Sequence, residues 1–290
     1  MTGAGQMRRE HGMDKLIAAL EKKSQEIRGT VLDMCINAGT GHVTSSLSAT
    51  DILVTLFYGN ILRHDPKNPT WAERDRLFIS KGQASPLLYT ILADRGYYDR
   101  ADLKLFAQKK GRFGVHMQKT VPGAEITCGS LGQGFGLAAG SALAAQMNRD
   151  LYMVFSLLGD GECHEGSIWE TAMFASHKRL NNLVAIIDRN YQCVTDFTEN
   201  IVALEPLEER WASFGWNVKR INGHSHRELL DALTGYRSRR STRPLVIIAD
   251  TVKGNGVDFM SCVPLWHGIA PKDGEAARAR EELKRRFSDG

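Results

Sequence analysis

LYMVFSLLGDGECHEGSIWETAMFASHKRLNNLVAIIDRNYQ, residues Leu151 to Gln192, is the stretch from which the fold can be read. It opens on an apolar run, Leu151 to Leu158, that breaks at Gly159-Asp160-Gly161. It closes on a second run, Leu183 to Ile187, followed by Asp188, Arg189 and Asn190. Between the two, Trp169, Ala172, Met173, Ser176 and Leu180 recur at intervals of three and four, the spacing of one helix face. The order is strand, turn, helix, strand. In such a crossover the strands run parallel and their carboxyl ends share one edge of the sheet, which brings Asp160 and Asn190 together. A carboxylate and an amide oxygen at that edge suit a hard cation. Mg²⁺ takes few protein ligands, because phosphate oxygens and water complete its octahedron. The stretch therefore predicts a site for a metal carrying a phosphorylated cofactor.

Working outward, Arg76 to Ser80, Trp216 to Ile221 and Leu245 to Asp250 are further strand candidates, with Leu229, Leu230 and Leu233 on a helix between the last two. The alternation predicts an α/β fold, a doubly wound parallel sheet with helices on both faces and ligands at its carboxyl edge. Upstream, Leu16, Ile17, Leu20, Ile27, Val31 and Met34 trace a helical stripe that ends near Gly39-Thr40-Gly41, directly before His42. Residues 1–12 read as a flexible tail, and 13–290 as a single domain ending in a helix with Ala276, Ala279, Leu283 and Phe287 on one face. Phe106 to Cys128 is irregular, and loops of that length are usually functional or disordered. It runs into Gly129-Ser130-Leu131-Gly132-Gln133-Gly134, which opens a helix of small residues. Glycines there let backbone N–H groups approach an anion at a helix N-terminus, or simply allow close helix packing.

The composition, with 42% hydrophobic and 24% charged residues over 290 positions, is that of an ordinary globular protein. A net charge of +4, with much of the basic excess at the two ends, reads as solvated faces rather than a nucleic-acid surface. Five cysteines with no CxxC pair fit a reduced, cytoplasmic chain better than a disulfide scaffold. The N-terminus has no signal-peptide core, and no run of about 18 apolar residues suggests a membrane span.

The motifs together resemble the thiamine diphosphate-binding half of transketolase: Gly41-His42, RDRLFISKG (Arg74 to Gly82), Val115-His116, Pro122-Gly123, GSLGQG, GDG with Glu165-Gly166, DRN, KGNG and WHG, in the family's order. The resemblance implies thiamine diphosphate and Mg²⁺ as cofactors. It implies Asp160 and Asn190 as metal ligands, with the backbone carbonyl of Gln192 as the third. Gly129, Ser130, Leu131 and Gly161 resemble positions lining the cofactor and its diphosphate, and Glu165 resembles a glutamate at the family's subunit interface. His42, His116 and His267 resemble the histidines around the reactive ring. Imidazole suits that place, being able to hydrogen-bond sugar oxygens and to move protons at neutral pH.

Two departures qualify the resemblance. The family's SKGH reads Ser80-Lys81-Gly82-Gln83, and Gln83 at the cofactor can hydrogen-bond but cannot carry charge or shuttle a proton. Beyond Asp250 the chain offers only loops and one helix, so the second, pyrimidine-binding domain and its activating glutamate are expected from a separate C-terminal subunit, in an α2β2 heterotetramer acting on small sugars. Alternatives are another split thiamine diphosphate enzyme, one decarboxylating a 2-oxo acid or serving specialised sugar or natural-product metabolism, or a non-catalytic relative that binds the cofactor. A Rossmann dinucleotide enzyme is excluded, because GSLGQGFG matches GxGxxG only loosely and follows no short strand.

Overall fold

The structure, a computed structural model, describes residues 3–109, 111–236 and 241–286. Five strands form one sheet: β1 (Arg76–Ile79), β2 (Val154–Gly159), β3 (Leu183–Arg189), β4 (Asn217–Asn222) and β5 (Leu245–Asp250), in the order β1-β2-β3-β5-β4 with every pair parallel. β2 and β3 are buried at every position, as expected of strands covered on both faces, whose sequences read as continuous apolar runs. The sheet edges are blunted, β1 by being only 4 residues long and β4 by Lys219 and Arg220. The alternation of strands and helices thus delivers the expected doubly wound α/β sheet.

Helices α1 (Gly3–Ala38), α2 (Val43–Tyr58) and α3 (Ser85–Asp94) pack on one another. α4 (Gln133–Asn148) lies on β1 and β2 and against α5 (Gly166–His177). The short α6 (Thr198–Ile201) follows β3, and α7 (Leu207–Ser213) lies against β4 on the α4–α5 side. There Trp211 of α7 meets Phe135 of α4, Trp169 of α5 and Trp216, with ring centroids 5.0–5.9 Å apart. α8 (His226–Leu233) packs on α1 and α2 across the other face, and α9 (Asp273–Arg286) closes on α1.

Three details differ from the sequence reading. The flexible tail expected over 1–12 is helical from Gly3 onward, because Gln6, Met7, Arg8, Arg9 and Glu10 favour helix and no proline interrupts them; residues 1–2 lie outside the described residues. β2 begins at Val154 rather than Leu151, which is 85% exposed ahead of the strand. In α5 the buried face is Ile168, Ala172 and Ala175, whereas Met173 and Phe174 are exposed. In α9, Ala276, Ala279 and Leu283 are buried as expected, while Phe287 lies outside the described residues.

Candidate functional site

The register Gly159↔Asp188 sets the carboxyl ends of β2 and β3 side by side, so the residues after them meet. The backbone N–H groups of Asp160 and Asn190 both donate to the Asp188 carbonyl, at 3.3 and 3.1 Å. The buried Asp160 carboxylate accepts from Gly161 N (2.8 Å), Tyr191 N and Arg189 Nη1 (3.1 Å). Burial, helped by Asp188, pushes its pKa above the usual carboxylate range, while Arg189 pulls it down. The Asn190 side-chain oxygen accepts from Gln192 N at 3.2 Å. Gln192 lies in an isolated antiparallel bridge with Phe197 whose hydrogen bonds are made by its neighbours, Thr198 N to Tyr191 O and Cys193 N to Asp196 O, both 2.9 Å. In such a pair the residue's own carbonyl points away from the bridge.

These residues line one cleft of about 250 Å³, together with Gln83, Leu131, Gly161, Lys253 and His267. The Gln192 side chain is buried on its wall, and both polar ends lack a hydrogen-bond partner. A carboxylate, an amide oxygen and a free carbonyl are hard oxygen donors, and the orphaned amide adds a polar group awaiting a ligand, so the residues fit a Mg²⁺-bridged phosphorylated group. Among the described residues no group of three His, Cys, Asp or Glu side chains is arranged to hold a metal. The expected set has one carboxylate only, so it does not depend on such a group.

Beneath the cleft lies a buried ion pair, Lys81–Asp188. Lys81 also donates to Ser45 O (3.0 Å) and Ser48 Oγ (3.2 Å), while Asp188 accepts from Ser48 Oγ (2.6 Å) and Thr251 Oγ1. Against full burial, Lys81 and these hydroxyls hold Asp188 below its ordinary pKa. A second buried acid, Glu162, ties the two glycine turns together by accepting from Gly132 N (2.9 Å), Gly159 N (3.1 Å) and Ser80 Oγ. Gly132 has φ +79, and a Cβ there would stand 2.3 Å from Ser167 Oγ, so glycine is required where GSLGQG enters α4. Of the three expected cofactor positions in that turn, Leu131 lines the cleft, Gly129 lies beside the His116 ring, and Ser130 is exposed.

The three expected histidines meet. The His42 ring, just before α2, has its centroid 5.0 Å from that of His116 and 5.3 Å from that of His267. Burial, then His116, Lys253 and Lys81, bring His42 down to about 4; burial, then Lys253 and His42, bring His267 down to about 3. Lys253, itself lowered to about 8 by burial and Lys81, lies 3.0 Å from His267 Nδ1. An ammonium only donates, so His267 Nδ1 accepts and the ring proton sits on Nε2. Buried His42 Nδ1 has no hydrogen-bond partner. Gln83 lines the cleft, and Glu165 is exposed at the start of α5.

Sequence reasoning missed Lys81, Glu162, Lys253 and Arg189 as parts of the site. Arg189 is fully buried and bonds Asp160, Thr198, Glu199 and Glu205, its guanidinium 4.1 Å from the centre of the Tyr191 ring. The signal was an arginine ending an apolar strand, a place where a charge survives burial only with partners.

A parallel sheet carrying two glycine turns and a polar cleft at its carboxyl edge defines a ligand-binding α/β domain. The family model described as "Transketolase, thiamine diphosphate binding domain" matches residues 20–287. The chain belongs to the transketolase family, as its thiamine diphosphate-binding half. It is 40% identical over 242 residues, 83% of this chain and 87% of the relative, to the 6-deoxy-6-sulfo-D-fructose transketolase subunit SqwG of Clostridium sp. (strain MSTE9). It is 35% identical to an apulose-4-phosphate transketolase subunit from Phocaeicola vulgatus, over 93% of this chain and 96% of that one. The crystal structure of transketolase from Campylobacter jejuni superposes with a TM-score of 0.86 at 33% identity, over 94% of this chain and 43% of that structure. The chain thus spans less than half the length of that solved structure.

Proposed function

We infer that this chain is the cofactor-binding subunit of a two-component transketolase, moving a two-carbon ketol unit from a ketose to an aldose. The observation that carries the reading is the convergence, in one cleft, of the Asp160–Asn190–Gln192 oxygen donors with His267, whose ring clusters with those of His42 and His116. Asp160, Asn190 and the Gln192 carbonyl would hold Mg²⁺, and Gly161, Leu131, Gly129 and Ser130 would line the cofactor's diphosphate end. Thiamine diphosphate, when bound, supplies the carbon nucleophile and electron sink that cleavage beside a carbonyl requires.

The chain's own residues would handle the sugar. Neutral His267 donates from Nε2, and neutral His42 and His267 can each accept or release a proton at a sugar hydroxyl. Gln83 donates a hydrogen bond from its amide.

Two subunit-type relatives, aligned over 87% and 96% of their own lengths, support a separate partner chain. We assign that partner the pyrimidine-binding domain and its glutamate, in an α2β2 assembly with residues 13–290 as one domain of this subunit. Those relatives are named for a sulfonated and a phosphorylated ketose, which favours an anionic ketose as donor. All five thiols are free, which favours a reducing, cytoplasmic compartment. Among the described residues no helix is long and apolar enough to cross a membrane.

The test is calorimetric titration of the chain and its partner with thiamine diphosphate and Mg²⁺, followed by a ketol-transfer assay of that complex on a ketose phosphate, a sulfonated ketose and a 2-oxo acid. Saturable Mg²⁺-dependent binding, lost at least tenfold in Asp160→Asn, and transfer from an anionic ketose are expected. Turnover of the 2-oxo acid alone would replace this reading with a decarboxylating one. Cofactor binding by the chain with its partner but no turnover of any of the three donors would replace it with a non-catalytic one.

A further inference from the structure

Cys193 stands where the proposed cofactor cradle meets solvent. It follows Gln192, is half-buried, and lines the same cleft as Asp160 and Gly161. Its sulfur lies directly over the Gly161 backbone, since a Cβ built on Gly161 would fall 2.7 Å from Cys193 Sγ. On its other side the sulfur is 3.5 Å from His164 Nδ1, and His164 Nε2 is 2.8 Å from the Val202 carbonyl. A carbonyl only accepts, so the imidazole proton sits on Nε2 and Nδ1 offers a lone pair to the thiol. The Cys193 carbonyl accepts from Lys253 Nζ at 3.2 Å, which fixes the backbone on which the thiol is mounted. The neighbouring Gln192 amide is buried without a partner on the wall of the same cleft, a second sign that the space beside the sulfur is meant for a polar ligand. The other thiols do not share this setting: Cys35, Cys128 and Cys163 are buried, and Cys262 is exposed but lies outside the cleft lining.

We propose that Cys193 is a modification site for low-molecular-weight disulfides, and that a group attached to its sulfur and the bound cofactor exclude one another. The proposal rests on the reading of this cleft as the cofactor cradle. A substituent on Sγ has Gly161 beneath it and His164 beside it, so it extends into the 250 Å³ cleft. In the exchange, the Cys193 S–H proton passes to His164 Nδ1 and the sulfur attacks one sulfur of the disulfide. That S–S bond breaks as the new one forms, and the departing thiolate takes the proton from His164. One thiol and one disulfide give one mixed disulfide and one thiol, and excess small thiol reverses the step.

The experiment treats the reduced full-length chain, assembled with its partner, with 5,5′-dithiobis(2-nitrobenzoate), with and without saturating thiamine diphosphate and Mg²⁺, and locates the label by peptide mass. Labelling of Cys193 should slow at least tenfold in the presence of the cofactor, while Cys262 reacts equally in both samples. The labelled chain should lose cofactor binding in titration and regain it with dithiothreitol, and Cys193→Ser should give the same titration before and after treatment. A native chain that binds the cofactor and still binds it after full labelling of Cys193 overturns the proposal alone, as does a Cys193 that labels equally fast with cofactor bound or does not label at all. A native complex of the chain with its partner that binds no cofactor overturns the underlying reading and the proposal with it.

Discussion

Replacing Lys81 by Met and Asp188 by Asn, singly and together, tests whether one buried ion pair holds the site's floor. Lys81 is 4% and Asp188 0% exposed, so neither charge can turn to water when its partner is lost. Lys81→Met leaves an anion facing only Ser48 and Thr251. Asp188→Asn leaves an ammonium facing Ser45 O and Ser48 Oγ. Breaking a buried pair from one side costs about 3–5 kcal/mol, whereas removing both charges together is often near neutral. At roughly 2–4 °C per kcal/mol for large domains, each single variant should melt roughly 6–20 °C below the parent. The double variant should recover most of that loss. Asp188 has a folded pKa below its unfolded value, so its contribution is present above the unfolded pKa and fades as pH falls through the folded one. The parent should therefore lose more stability on acidification than Asp188→Asn. Thermal melts of the cofactor-free chain read all four proteins. An additive cycle, in which the double variant loses the sum of the single losses, would refute the coupling.

Two further predictions concern the loop and the histidines behind the cleft. His224 Nε2 accepts the Val252 N–H at 2.9 Å while Nδ1 contacts Asp51 at 2.7 Å, one residue from Lys253. His224→Phe should cost about 1–3 kcal/mol, chiefly for the hydrogen bond lost to the buried Asp51 carboxylate, and weaken cofactor binding at least tenfold in titration; unchanged binding would detach this loop from the site. His42 titrates at about 4 in the fold, against 6.5 in an unfolded chain. Between those values only the unfolded chain takes up the proton, so stability falls with pH, by up to about 3 kcal/mol from this ring. Melts of the cofactor-free chain from pH 7 to 4.5 should be shallower in His42→Gln than in the parent, and equal slopes would show the ring is not held neutral.

How much was legible in the sequence follows from where the information resides. β3 and β5 could be read because a strand covered on both faces leaves an unbroken apolar run, and the Asp160–Asn190 meeting followed from parallel crossover geometry alone. The α5 stripe was misjudged at Met173 because periodicity marks a face without saying whether anything covers it; exposed Met173 fits the spacing as well as buried Ala172 does. Helix onset at Gly3 was missed because a polar, charged segment reads equally as tail or as helix until its continuation into α1 is seen. Lys81, Glu162, Lys253 and Arg189 were invisible for another reason. A charged residue is ordinarily a surface residue, and only long-range partners such as Asp188, Gly132, His267 and Asp160 reveal that it is buried.

Those buried charges also decide what the histidines can do. The buried His42 ring lies 5.0 Å from His116 and 5.3 Å from His267, which Lys253 contacts, so neighbouring positive charge adds to the cost of protonating His42 or His267. The low pKa values of His42 and His267 follow first from burial and then from that crowding. A protonated imidazole only donates hydrogen bonds, but a neutral one donates from one nitrogen and accepts at the other. A sugar presents both hydroxyl donors and carbonyl acceptors, so neutrality is what lets the pair meet either. Gln83 has the same dual character in its amide without the ability to exchange a proton. On the function proposed above, glutamine at this position would keep a hydrogen-bonding group at that wall of the cleft and would leave proton transfer to His42, His116 and His267.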